Sequence, residues 1–136
     1  MKITEDSDHK LWTLWAAECA EHVLYLFEKD YPADDRPRIA IEAARAWTKG
    51  EMKASDARIF ALAANAAARD ATHYQGIAAA RAAGHAAATT HVADHAIHAA
   101  AYAVKASTDT EKEKEWQWNI MPEHLRVAVE EGKIPW

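Results

Sequence analysis

The residues best suited to chemistry are His91, His95 and His98, which fall in QGIAAARAAGHAAATTHVADHAIHAAAYAVKA, the stretch from Gln75 to Ala106. On a continuous helix, steps of four and three residues put these imidazoles on one face. Gly84, Ala87, Ala88 and Tyr102 fall nearly in line with them, and Asp94 borders the face. Imidazoles four residues apart on a helix can share a metal ion. His91 and His98 would stand about 10 Å apart along the axis, so an adjacent pair would need further ligands from elsewhere, such as His22 or His73. Histidines lining a polar seam between helices account for the same pattern more simply. The sequence offers His91, His95 and His98 as candidate metal ligands and nothing firmer, and no cofactor is expected.

Other chemistries find less support. There is no H-E-x-x-H, no cysteine pair, no Gly-rich phosphate loop after a strand and no serine in a triad-like setting. Cys19 lies within an apolar stripe, the setting of a buried and inert thiol. Arg45, Arg69 and Arg81 each follow an alanine run, where salt-bridged helix ends explain them. Nothing in the sequence argues for an enzyme. Of the six tryptophans, Trp116, Trp118 and Trp136 lie in a polar C-terminal part. Tryptophan is enriched at interface hot spots, so Trp116 and Trp118 are candidate partner contacts. Pinning the terminal segments onto the body is the other role open to them.

The elements that must position these residues all read as helices. Leu11, Trp12, Trp15, Cys19, His22, Val23, Leu26 and Phe27 recur at three- and four-residue steps, predicting a first helix from about Asp8 to Lys29. Asp35 and Pro37 open a second helix that Gly50 closes. A third, after Lys53 or Ser55, is predicted to bury Ile59, Leu62, Ala63, Ala66 and Ala67. Alanine is the strongest helix former and lets neighbouring helices approach to about 8 Å, so Gln75 to Ala106 reads as one central helix with the others wrapped around it. Gly84 marks either a kink or the closest helix contact. After Ala106, STDTEKEKEW starts a solvated helix with Trp116 inward, and a short helix follows Pro122 and ends at Gly132. No strand-like alternation appears. The expectation is a compact all-α, alanine-rich bundle of about five to seven helices. Residues 1–136 form one domain in this reading, with 1–7 as an N-terminal arm and 107–136 as a charged, Trp-containing extension packed on the bundle.

Length and charge set the surroundings. A chain of 136 residues is long enough to bury a real core. Its mean hydropathy of −0.39 and the absence of a long uninterrupted apolar run argue against a membrane span. The opening MKITEDSDHK has no apolar core of a signal peptide, and one cysteine excludes an internal disulfide, so a cytoplasmic protein is expected. A net charge of −5 disfavours nucleic-acid binding. Protonating all eight histidines would take that charge from −5 to +3, so surface electrostatics should respond to pH.

The segment LWTLWAAECAEHVLYLFEKDYPADDRPRIAIEAARAW, together with AARDA, ARAAGHAAATTHVADHAIHAAAYAVKA and EKEWQWNIMPEHLRVAV, resembles a family of bacterial immunity proteins with an Imm-five-like domain. The similarity runs from about Leu11 to Val129, and its most specific part is the D-D-R-P-R-x-A-I-E-A-A-R-A-W block. The resemblance implies a non-enzymatic partner that binds and neutralises a cognate toxin, as in polymorphic toxin systems. It implies no catalytic residues. If that toxin were basic, Glu5, Asp6 and Asp8 with Asp30, Asp34 and Asp35 would be the acidic clusters to meet it, alongside Trp116 and Trp118. The rival readings are a metal- or small-ligand-binding protein using the His91/His95/His98 face, and a homodimer whose alanine face packs against itself.

Overall fold

The computed structural model describes residues 6–134 and 136. Residues 1–5 of the expected N-terminal arm lie outside the described residues, and its last two, Asp6 and Ser7, belong to the first helix. That helix, α1, spans Asp6–Val23, and a single turn, α2 (Tyr25–Glu28), continues it. Leu24 between them keeps helical dihedrals, but its N–H reaches back three residues to the Glu21 carbonyl. The stripe expected here is buried at Trp12, Trp15, Cys19, Val23, Leu26 and Phe27, while His22 lies at its exposed edge.

Helix α3 (Arg36–Thr48) starts with Pro37 in its first turn, where a missing N–H leaves no bond unmade. Its entry is fixed by the Asp34 carboxylate, which accepts from both the backbone N–H and the guanidinium of Arg36. The exit is a Schellman turn: Gly50 adopts φ +74, its N–H donates to Trp47, and the Glu51 N–H donates to Ala46.

Helix α4 (Ala54–Asp70) corrects the predicted burial. Ala57, Ala61, Ala64, Ala67 and Ala68 face the core, whereas Ile59 is 62% and Leu62 58% exposed. The reason is the close approach of the next helix, α5 (Tyr74–Ala88). A Cβ added at Gly84 would come within 2.6 Å of Asn65 Oδ1 and 3.3 Å of the Ala61 carbonyl, so Gly84 marks the closest contact. Backbones that near admit only alanine between them, and the larger side chains turn outward.

The Ala/His segment is two helices, which corrects the single central helix expected from its composition. It stops at Ala88 and resumes as α6 (His95–Ala106), which runs back along α5. The Gln75 amide at the start of α5 donates to the Ala106 carbonyl at the end of α6. The break comes where the small residues give way to Thr89 and Thr90, both buried. Their hydroxyls bond back to the His85 and Ala87 carbonyls, offering the backbone an alternative to further helix. His9 of α1 donates to the Thr89 carbonyl at 2.6 Å, holding the turn against the first helix.

Helix α7 (Thr110–Ile120) is capped by Asp109, whose carboxylate accepts from the Lys112 N–H. Helix α8 (Glu123–Glu130) follows Pro122 and ends at Gly132, with φ +75. Counting α2 as the last turn of α1 gives seven helices and no strand among the described residues. The bundle is all-α and compact. Helix α5 is its centre, packed against α1, α2, α3, α4 and α6, and α7 packs on α6. Leu125 of α8 and Met121 before it join the same buried core as Trp12 and the alanines of α5.

Candidate functional site

The turn from α5 into α6 gathers the histidines, though not the set the helical spacing selected. His91 falls in the turn and is exposed. His95 opens α6, and His98 lies one turn on. Because α6 runs back along α5, His85 of α5 completes the cluster. Its Nδ1 lies 3.0 Å from His95 Nδ1, and its ring is 5.3 Å from that of His98. Tyr102 stacks on His85 at 5.2 Å, with 10° between the planes. One Nδ1 must donate and the other accept, which requires a neutral ring at the acceptor. Burial, with His95, His98 and Arg81 alongside, pushes His85 down to about 4. Burial and His98 also lower His95, against the pull of Asp94. Among the described residues no three His, Cys, Asp or Glu side chains stand close enough to hold a metal ion. The cluster is a polar seam between two helices.

A second constellation lies where α7 meets the end of α1. His22 donates from Nδ1 to the buried carboxylate of Glu113, at 2.8 and 3.0 Å to its two oxygens. The His22 ring stacks on Trp116 at 3.5 Å, only 12° from parallel. Both form one side of an open groove of about 370 Å³, which Tyr25, Asp109 and Lys112 help to line. Trp116 is therefore half-buried by a partner ring and half-presented to the groove. Cys19 lies within reach of the Glu113 field. Its own burial, then the Glu113 and Glu18 charges, push the thiol well up, so it stays protonated and inert, as its place in the apolar stripe implies. Helical spacing could have found this inner face, since positions 113, 116, 117 and 120 follow three- and four-residue steps. Glu113 and Gln117 concealed it by being polar.

Trp118 stacks on Trp136 at 5.4 Å, and Trp136 meets Trp15 edge-on at 5.9 Å. These rings pin the chain end to α1 and α7, the structural role weighed for them.

Of the acidic candidates, Glu5 and the Asp6 side chain lie outside the described residues, Asp8 pairs with His124 at 2.9 Å, and the other three lie on the connection before α3. Asp34 is held by Arg36 at 2.7 Å, and the same guanidinium reaches Asp70 at 3.0 Å. The Arg36 hydrogen bond keeps the Asp34 carboxyl below its usual range. Asp30 faces His73 at 3.3 Å. Asp35 is exposed, and its side chain does not cap α3. Two parallel pairs, Glu28–Arg38 and Glu21–Arg45, continue this ladder between the first helices and α3. Arg45 thus closes a salt bridge, as its place after an alanine run suggested.

No helix among the described residues is long and apolar enough to cross a membrane. No curated protein and no solved structure gives a significant match to the chain. A family model does match it, along residues 2–124, under the description "Imm-5 like putative immunity protein". That span takes in α1 to α7, with the Arg–carboxylate ladder, the histidine seam and the His22–Trp116 groove. The chain belongs to this Imm-5 like immunity protein family.

Proposed function

We propose that the protein binds a cognate bacterial toxin domain and neutralises it by occupying its surface, with no chemistry of its own. The family match over residues 2–124 carries this reading. A bundle whose helices pack through alanine is rigid, and a preorganised surface binds without a large ordering cost. We assign the contact to the groove bearing Trp116 and Tyr25, with Asp35 on the acidic connection as an outlying charge. Trp116 has the character of a hot-spot residue: a large aromatic ring, fixed by stacking, at the edge of a concave surface. Asp30 and Asp34 serve the fold first, since both face basic partners. The cytoplasm, where Cys19 would remain reduced, is the compartment we assign.

Co-expression tests this reading. The tagged protein is produced with the product of the neighbouring gene, and complex formation and cell survival are both scored. A stable complex together with rescue establishes immunity. Neither binding nor rescue removes the reading.

A further inference from the structure

The seam between α5 and α6 holds more imidazole nitrogen than its packing uses. His85 Nδ1 and His95 Nδ1 lie 3.0 Å apart, one on each helix. The rings of His85, His95 and His98 form a triangle, with centroids 5.2, 5.3 and 5.9 Å apart. Tyr102 stacks on His85 with 10° between the planes and holds that ring in place. His98 is exposed and makes no hydrogen bond among the described residues, so its ring is free to turn.

These spacings match the bite of a metal ion. Zinc binds imidazole nitrogen at about 2.0–2.1 Å, so two nitrogens 3.0 Å apart subtend about 90–97° at the metal. Widening the pair by about 0.3 Å reaches the tetrahedral angle. A tetrahedral three-imidazole site would set its ring centroids about 5.2 Å apart, close to the triangle present here. As placed, the three side chains fall short of a complete ligand set. Rotation of His98, which follows His95 by one turn on the same face of α6, supplies the third nitrogen. Burial, then the neighbouring histidines, holds His85 and His95 below the ordinary imidazole value, which keeps both in the neutral, ligating form at pH 7.

We propose that His85, His95 and His98 bind one divalent transition-metal ion of the zinc class, as a clamp between α5 and α6. The donor ring of the His85–His95 pair moves its proton from Nδ1 to Nε2, so none is lost, and water takes the fourth position. Imidazole ligands without carboxylate select zinc, nickel or copper over magnesium and calcium. His91 has no part in the set, because it lies exposed in the turn. The inference is independent of toxin binding, which we assign to the groove between α1 and α7.

The full chain, stripped of metal by a chelator, is titrated with Zn²⁺ by calorimetry, with Mg²⁺ as the control. One site per chain with Kd at or below about 10 µM is expected, and no Mg²⁺ binding. Zinc should also raise the melting temperature, because it binds only the folded arrangement of the two helices. His98→Ala alters an exposed side chain without disturbing the fold, and it should weaken zinc binding at least about tenfold. His85→Gln should lose as much, whereas His91→Ala should bind like the parent. If His85→Gln melts early without metal, His98→Ala decides the question alone. Absence of saturable binding up to about 100 µM Zn²⁺ overturns the proposal. So does parental affinity in His98→Ala, or a loss in His91→Ala equal to that in His98→Ala.

Discussion

His85 and His95 show how a residue's protonation can be linked to the fold. The unfolded imidazole titrates at its ordinary value of 6.5, whereas folded His85 is pushed down to about 4. Between those values the unfolded chain binds more protons than the folded one, so stability is full above pH 6.5 and falls as pH drops towards 4. His85 is partly open to solvent, and the loss after screening should be about 1–2 kcal/mol. Thermal melts at pH 7 and pH 4.5 should therefore differ by several degrees, and His85→Phe should shrink the difference. An unchanged difference in that variant would place the acid sensitivity elsewhere. His22 poses the opposite problem, because it satisfies a buried carboxylate. His22→Leu should destabilise by about 1–3 kcal/mol by leaving Glu113 unpaired, and adding Glu113→Met should recover most of that loss. Denaturant titration of the two variants reads this directly.

At the scale of the helices, the decisive contact is α4 against α5. Gly84→Val should cost about 3 kcal/mol, because the branched side chain would meet Asn65 and the Ala61 carbonyl. Ile59→Lys and Leu62→Gln should change stability by less than about 0.5 kcal/mol, since neither side chain is buried. The same denaturant titrations would expose an error, for a large loss at Ile59 would mean that its side chain is covered. The sequence made the helices legible because their signals are local: Pro37 and Gly50 bound α3, and Asp109 caps α7. It misplaced the inner face of α4 because hydrophobic periodicity assumes that the largest apolar groups are buried, and here interhelical distance reverses that rule. The break between α5 and α6 was hidden for a related reason. Alanine propensity on both sides outweighed the two threonines, whose hydroxyl bonds to His85 and Ala87 end the helix. Missing the break also misassigned the histidine set, replacing a cross-helix neighbour, His85, with a sequence neighbour, His91.

Across the whole molecule, the acidic side chains around α3 are largely matched by arginine. Glu21, Glu28, Asp34 and Asp70 are engaged by Arg45, Arg38 and Arg36. These pairs tie α3 to the first helices and to the end of α4, and they weaken the local field that this face would offer a basic toxin. The proposed toxin contact at the Trp116 groove would then rest more on shape and aromatic contact than on charge, which separates two kinetic signatures. Replacing a fixed aromatic anchor acts on dissociation, whereas removing an outlying charge acts on association and its salt dependence. With the cognate toxin immobilised, Trp116→Ala should speed dissociation at least about tenfold. Asp35→Asn should leave dissociation unchanged and slow association by no more than about threefold at low salt. Because Trp116 also covers His22, a melting curve must accompany the first variant, and Trp116→Phe should keep most of the affinity by preserving the stack. If Trp116→Ala folds normally and binds like the parent while Asp35→Asn loses the complex, the contact lies on the acidic connection. The groove between α1 and α7 would then have no part in neutralising the toxin.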